Sequence, residues 1–198
     1  MARQPKPKHP ELQYTIVMER AHFPSAFLEK LKSKVSGDNP CHRPYTTFEC
    51  LTAHLWRKIT RVRNLEEELT TKVKGLLSKP VRHAARLIHD AVAQVDGDYF
   101  RSFIDFSSSK EKMEGLVPSA YGGDVLSPDL EVSSWLNIPF YDMDFGTNPP
   151  RLFVPSYERV EGFLHIVPSF SGNGDVDAFV SLFEKDMRSF IDGLYYLD

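Results

Sequence analysis

The apolar positions along the chain follow two periods, and each period predicts a different element. Leu12, Tyr14, Ile16 and Met18 recur every second residue, which predicts a half-buried strand over residues 12–19. From Pro24 the spacing changes to three and four. Phe27, Leu28, Leu31 and Val35 then mark a helix that Gly37 closes. Residues 37–44 are polar and read as a loop. Thr46 and Glu49 stand at capping-box spacing before a helix with Phe48, Leu51, Leu55, Ile59 and Val62 on one face. Residues 64–79 are polar and weakly patterned. Pro80 opens a long helix through Val81, Ala85, Ile88, Val92, Val95 and Tyr99 to about Phe106. Residues 110–116 hold a short helix at best, and Tyr121-Gly-Gly and Ser127-Pro signal turns. Residues 130–136 predict a strand, residues 142–155 a loop, and residues 162–169 a strand buried on both faces. Asp175 follows a Gly-Asn-Gly turn and is expected to cap a last helix through Val176, Phe179, Phe183, Met187 and Ile191. Strands interspersed with long helices make an α/β chain.

Composition narrows the function classes. The 198 residues suit about one domain and carry 24 Lys plus Arg against 27 Asp plus Glu, a net charge of −3. Nucleic-acid binding needs a cationic excess that this balance does not supply, so no nucleic-acid partner is expected. No apolar run approaches the ~18 residues of a membrane span, so no membrane partner is expected either. Residues 1–10 are basic and proline-rich without an apolar core, which reads as a mobile tail rather than a signal peptide. Two cysteines, Cys41 and Cys50, are too few for a disulfide scaffold and point to a cytoplasmic location. Arg57, Lys58, Arg61 and Arg63 crowd the end of one helix, where a solvated face suits the helix dipole.

The seven histidines form no HExxH and no paired metal spacing, and there is no CxxC, so no metal is expected. His54 in a helix and His165 in a strand read as hydrogen-bonded structural residues. There is no Gly-x-Ser-x-Gly elbow and no glycine-rich phosphate loop. Asp144-Phe145-Gly146 evokes a kinase, yet no His-Arg-Asp loop or Ala-Pro-Glu accompanies it. The run from Gly172 to Asp177 lacks the ligand pattern of a calcium loop.

Taken in order, several segments resemble the C-terminal half of the plant BAHD acyltransferases. They are residues 47–57 (TFECLTAHLWR), 77–80 (LSKP) with 88–92 (IHDAV), 128–136 (PDLEVSSWL), 142–146 (DMDFG), 160–162 (VEG), and 167–169 (VPS) leading into 172–179 (GNGDVDAF). They look most like the hydroxycinnamoyl-CoA transferase branch. The resemblance implies a chloramphenicol-acetyltransferase-like domain, a mixed sheet flanked by helices. Residues 1–11 would be a tail, and residues 12–198 a partial C-terminal domain with an internal deletion near 64–76. There the family carries an Asn-x-Arg strand and a Phe-Gly-Asn segment.

It also implies transfer of a hydroxycinnamoyl group from acyl-CoA, as substrate and with no cofactor, to a small amine or alcohol. The family's base is the His of an HxxxD motif in its N-terminal domain. Four residues beyond each His stand Gln13, Ala26, Thr46, Lys58, Leu87, Ala93 and Ser169, so no HxxxD exists here. The chain alone is therefore expected to be inactive. It would be a truncated non-catalytic product, or a half-enzyme that needs an N-terminal-half partner, and an exposed apolar patch would favour self-association.

Ser133, Trp135, Asn137 and Thr147 are the expected residues of the acyl and acceptor channel. Asn137 stands where shikimate-type members carry an Arg that grips a carboxylate. A neutral residue cannot make that pair, which favours an amine over shikimate. Asp144, Phe145 and Gly146 are expected to be structural, with Asp144 paired to a family Arg and Gly146 permitting a tight turn. Asn148 replaces the motif's final glycine.

Overall fold

A computed structural model describes residues 15–37, 44–65, 71–109, 125–156 and 160–197. The predicted tail, the short helix near 110, the turn at Tyr121 and Cys41 lie outside these residues. Among the described residues four strands form one mixed sheet in the order β1-β4-β3-β2. These are β1 (Ile16–Phe23), β2 (Glu131–Ser134), β3 (Phe163–Pro168) and β4 (Val176–Phe183). β2 and β3 run parallel, while β4 is antiparallel to both β1 and β3. The helices among the described residues are α1 (Ser25–Ser36), α2 (Thr47–Val62), α3 (Thr71–Ser78), α4 (Val81–Ala93), α5 (Gly97–Ser107) and α6 (Glu184–Gly193).

The expected mixed sheet flanked by helices is present, with corrections to individual elements. β1 ends at Phe23 rather than near residue 19, and its buried side is Ala21 and Phe23, with Val17 packed on the core. Ile16 and Met18 point to the other face. A one-residue change of register moves every side chain across the sheet, so the alternation alone left that choice open. The expected last helix is two elements. Residues 176–183 are a strand, and α6 starts only at Glu184. Val176, Ala178, Val180 and Leu182 join the core, while Asp177, Phe179 and Ser181 are buried on the second face. A central strand covered on both sides loses its alternation of exposure, and the spacing of Val176, Phe179 and Phe183 imitates a helix.

The long helix from Pro80 is also broken. The side chain of Asp96 accepts a hydrogen bond from the Tyr99 N–H (2.9 Å) and starts α5 as a separate helix. Within the weakly patterned stretch lies α3, whose Leu76 is fully buried.

α2 is the axis of the core. Its capping box forms as expected. The Thr46 hydroxyl accepts from the Glu49 N–H (3.2 Å), and Glu49 Oε2 accepts from the Thr46 N–H (2.7 Å). Nearly every residue from Glu49 to Thr60 is buried, because α1, α3, α4 and α6 pack against the helix. The reading of its basic end as a solvated face is therefore overturned for three of four residues. Only Arg61 is exposed. Arg57 and Lys58 are buried. Arg57 donates to the carbonyls of Leu76 and Lys79, satisfying the end of α3. Arg63 reaches 2.6 Å from Glu161, which is wholly buried, and also donates to the Asp129 carbonyl (3.1 Å). Charges leave water only where such partners replace it. Burial also pushes the Cys50 thiol up to about 12, which keeps it protonated. As expected, His54 is a structural histidine, its Nε2 bonded to the Leu194 carbonyl at 2.6 Å.

Candidate functional site

Strand directions bring several chain ends to one edge of the sheet. β1, β2 and β3 finish there, and β4, antiparallel to its neighbours, begins there. The carboxyl ends of strands in open α/β sheets are common ligand sites, because loops diverge there and leave a crevice. A cavity of about 600 Å³ lies at this edge. One wall is the start of α2, from Thr46 to Phe48. A second is the exit of β2, with Ser134, Leu136 and Asn137. The floor is Pro168 with the turn at Gly174, Asp175 and Val176.

Asp175 is held by contacts distant in sequence. Its Oδ1 accepts from the Ser25 N–H (2.8 Å), so it caps α1 from outside that helix, where the N-cap residue Pro24 offers no side-chain bond. Its Oδ2 accepts from the Ser171 hydroxyl (2.9 Å), and His22 Nε2 stands 3.5 Å away. The Ser25 N–H, then the Ser171 hydroxyl, hold the Asp175 carboxyl below its ordinary value. The expectation that Asp175 caps the last helix is thus corrected: it caps α1. Beside it, Asp177 is bonded by His22 Nδ1 at 2.8 Å and approached by Arg20 at 3.7 Å. Ser169 Oγ lies 3.5 Å from that same Nδ1. A nucleophilic triad needs the two imidazole nitrogens to serve different partners, so Ser169, His22 and Asp177 do not form one.

Glu49 lies behind the α2 wall. Burial works to raise its pKa, but the Thr46 N–H, the Thr46 hydroxyl and the bond from His89 (2.9 Å) outweigh that. The carboxyl is held below its usual value.

The expected channel residues separate. Asn137 lines the cavity. Ser133 and Trp135 bond to each other, Nε1 to Oγ at 2.8 Å, beside His165. The Trp135 ring packs against Phe140, Phe153 and the buried His165. Thr147 sits in the exposed turn 144–148 and is not among the described lining residues. In that turn Asp144 Oδ1 accepts from the N–H groups of Gly146 (2.7 Å) and Asn148 (3.0 Å). Among the described residues these backbone bonds take the place of the expected Arg pair. Gly146 adopts φ +95°, as a tight turn requires, and Asn148 φ +100°. Phe145 is 83% exposed. Sequence reasoning did not assign Thr46, Thr47, Phe48 or Asp175 to a site. The capping box was the available signal, since it places a helix start at the edge where the strands end. Among the described residues no group of three His, Cys, Asp or Glu side chains can hold a metal.

Residues 68–196 match the Transferase family. Putrescine hydroxycinnamoyltransferase of Oryza sativa subsp. japonica is 40% identical over 95% of this chain and 48% of its own length. Agmatine coumaroyltransferase-1 of Hordeum vulgare is 42% identical over 92% of this chain and 49% of its own. The chain therefore spans about half the length of the curated relatives it matches. Among solved structures, F. sporotrichioides TRI101 complexed with Coenzyme A and T-2 superposes with a TM-score of 0.70 at 17% identity. That match covers 91% of this chain and 50% of the other. Vinorine synthase gives 0.62 at 16% identity, covering 95% and 49%. At these identities the structural likeness establishes the shared fold. Family match, relatives and fold agree: the chain belongs to the Transferase family of BAHD acyltransferases.

Proposed function

We propose that the chain supplies one half of an acyltransferase that moves a hydroxycinnamoyl group from a CoA thioester to an amine. The identity of about 40% to relatives named for putrescine and agmatine carries this reading. Asn137 on the cavity wall supports it, since a neutral amide offers no bidentate partner to an acid acceptor. In the reaction the amine nitrogen attacks the thioester carbonyl, the C–S bond breaks, and the amine proton leaves as the CoA thiolate takes one up. These 198 residues contain no HxxxD, so the base that takes the proton comes from outside them. Their own part is to form one wall of the site and to orient the acceptor. Ser133, Trp135 and Thr147 belong, on this reading, to surfaces completed by the rest of the enzyme.

The test is CoA release from a hydroxycinnamoyl-CoA with agmatine. The 198-residue chain alone gives no rate above background. Addition of an HxxxD-bearing half from a relative restores a saturable rate. Turnover by the chain alone overturns the external base, and binding of the thioester by neither preparation overturns acyl transfer.

A further inference from the structure

The electrostatics of the cavity are unusual for a pocket bounded by helix starts. The N-terminus of a helix carries roughly half a positive charge and ordinarily draws anions. Two such ends open beside this cavity, and each already bonds one carboxylate of the chain. The first N–H of α1, that of Ser25, bonds to Asp175 at 2.8 Å. The Thr46 N–H at the start of α2 bonds to Glu49 at 2.7 Å. Three acids stand near the cavity and differ in what offsets them. Glu49 is buried and bonded to His89 at 2.9 Å. Asp177, one residue beyond the cavity floor, has Arg20 and His22. Asp175 has the hydroxyl of Ser171, the N–H of Ser25 and a His22 nitrogen at 3.5 Å, and it lines the cavity itself. Among the described lining residues Asp175 alone is ionisable. The other polar ones, Thr46, Thr47, Ser134 and Asn137, are neutral. A neutral wall with one carboxylate attracts a cation and repels an anion.

From this charge pattern we infer that Asp175 is the specificity-determining residue of the cavity, receiving the cationic end of a small amine acceptor and rejecting carboxylate acceptors. The inference rests on the proposed transfer to an amine and adds the residue that selects it. A cavity of about 600 Å³ accommodates a diamine or guanidino-amine, whose charged end the carboxylate can take on a lone pair left free by Ser25 and Ser171. Sequence pattern hides this role, because Asp175 reads locally as a helix cap.

Titration calorimetry of the full 198-residue chain tests it, with agmatine, shikimate and a hydroxycinnamoyl-CoA as separate ligands. Wild type is expected to bind agmatine in preference to shikimate, and rising salt should weaken that binding, as charge pairing requires. Asp175→Asn keeps an oxygen for the Ser25 N–H and removes the charge. It should weaken agmatine about tenfold, the loss of roughly one charged contact, and leave the thioester unchanged. Ser171→Ala removes a neighbouring bond but not the charge, and should hold agmatine affinity within about twofold. No agmatine binding, salt-insensitive binding, or equal loss in both variants overturns the role of Asp175. So does tighter thioester binding by Asp175→Asn with agmatine unchanged, which would mark an anion site. If agmatine responds as expected but the thioester never binds, the transfer reading fails and the charge selection stands.

Discussion

The α2 region and the α5 region carry similar sequence patterns and opposite structural outcomes. Both are amphipathic helices with aromatic and aliphatic residues at helical spacing. α2 is buried along most of its length, and even its basic residues Arg57 and Lys58 are buried. α5 buries none of its residues. Tyr99, Phe100, Phe103 and Ile104 are each between 50% and 59% exposed. The comparison shows that periodicity specifies a helix with an apolar stripe, whereas burial needs a facing surface. α2 has that surface in α1, α3, α4 and α6.

Substitutions at each helix test this contrast. The largest loss is expected at the α2 end, from Arg63→Ala. It would leave Glu161 buried without its partner 2.6 Å away, and removal of one member of a buried pair costs about 3–5 kcal/mol. Denaturant unfolding reads the loss, and a change under about 1 kcal/mol would mean that water takes the place of the guanidinium. A related loss, about 1–3 kcal/mol, is expected for Gly162→Ala. Gly162 has φ +91°, and a Cβ there would lie 2.6 Å from the Arg63 guanidinium and 3.1 Å from the Asp129 carbonyl oxygen. Unchanged stability would show that the arginine gives way freely.

Acid response provides the third test. The Glu49 pKa is lowered in the folded chain, so its contribution is present above the unfolded glutamate value of ~4.3 and is lost as pH falls through the lower folded value. Glu49→Gln keeps the cap geometry and should flatten that acid limb of the stability curve. An unchanged limb would assign acid unfolding to other carboxylates. The smallest effect belongs to α5. Phe103→Ser on the uncovered face should change unfolding free energy by no more than about 0.5 kcal/mol. A loss above ~2 kcal/mol would reveal a surface packed against it.

Part of the architecture is legible in local sequence signals. α1 and the start of α2 follow from Pro24, Gly37 and the Thr46–Glu49 box, which are local signals read over three or four residues. Residues 176–183 form a strand although their spacing predicts a helix, because a central strand and a buried helix both present long apolar runs. The break before α5 depends on one Asp96 cap inside a continuous helical pattern. Of the expected channel residues, Asn137 lies on the cavity wall, and the sequence marks it only by its position two beyond Trp135. The sequence could not place Asp175, whose partners Ser25 and His22 lie about 150 residues away.

Local signals determine α1, the start of α2 with its capping box, the strand segments around 131–134 and 163–168, the absence of HxxxD and the motifs that resemble the family. These depend on neighbours within a few residues, where spacing is fixed by the chain. Tertiary structure alone decided which face of β1 is buried, that Arg57 and Lys58 leave solvent, and that Asp175 caps α1 on the cavity floor. Burial and charge pairing are set by distances through space, and the fold brings together groups that the sequence keeps far apart.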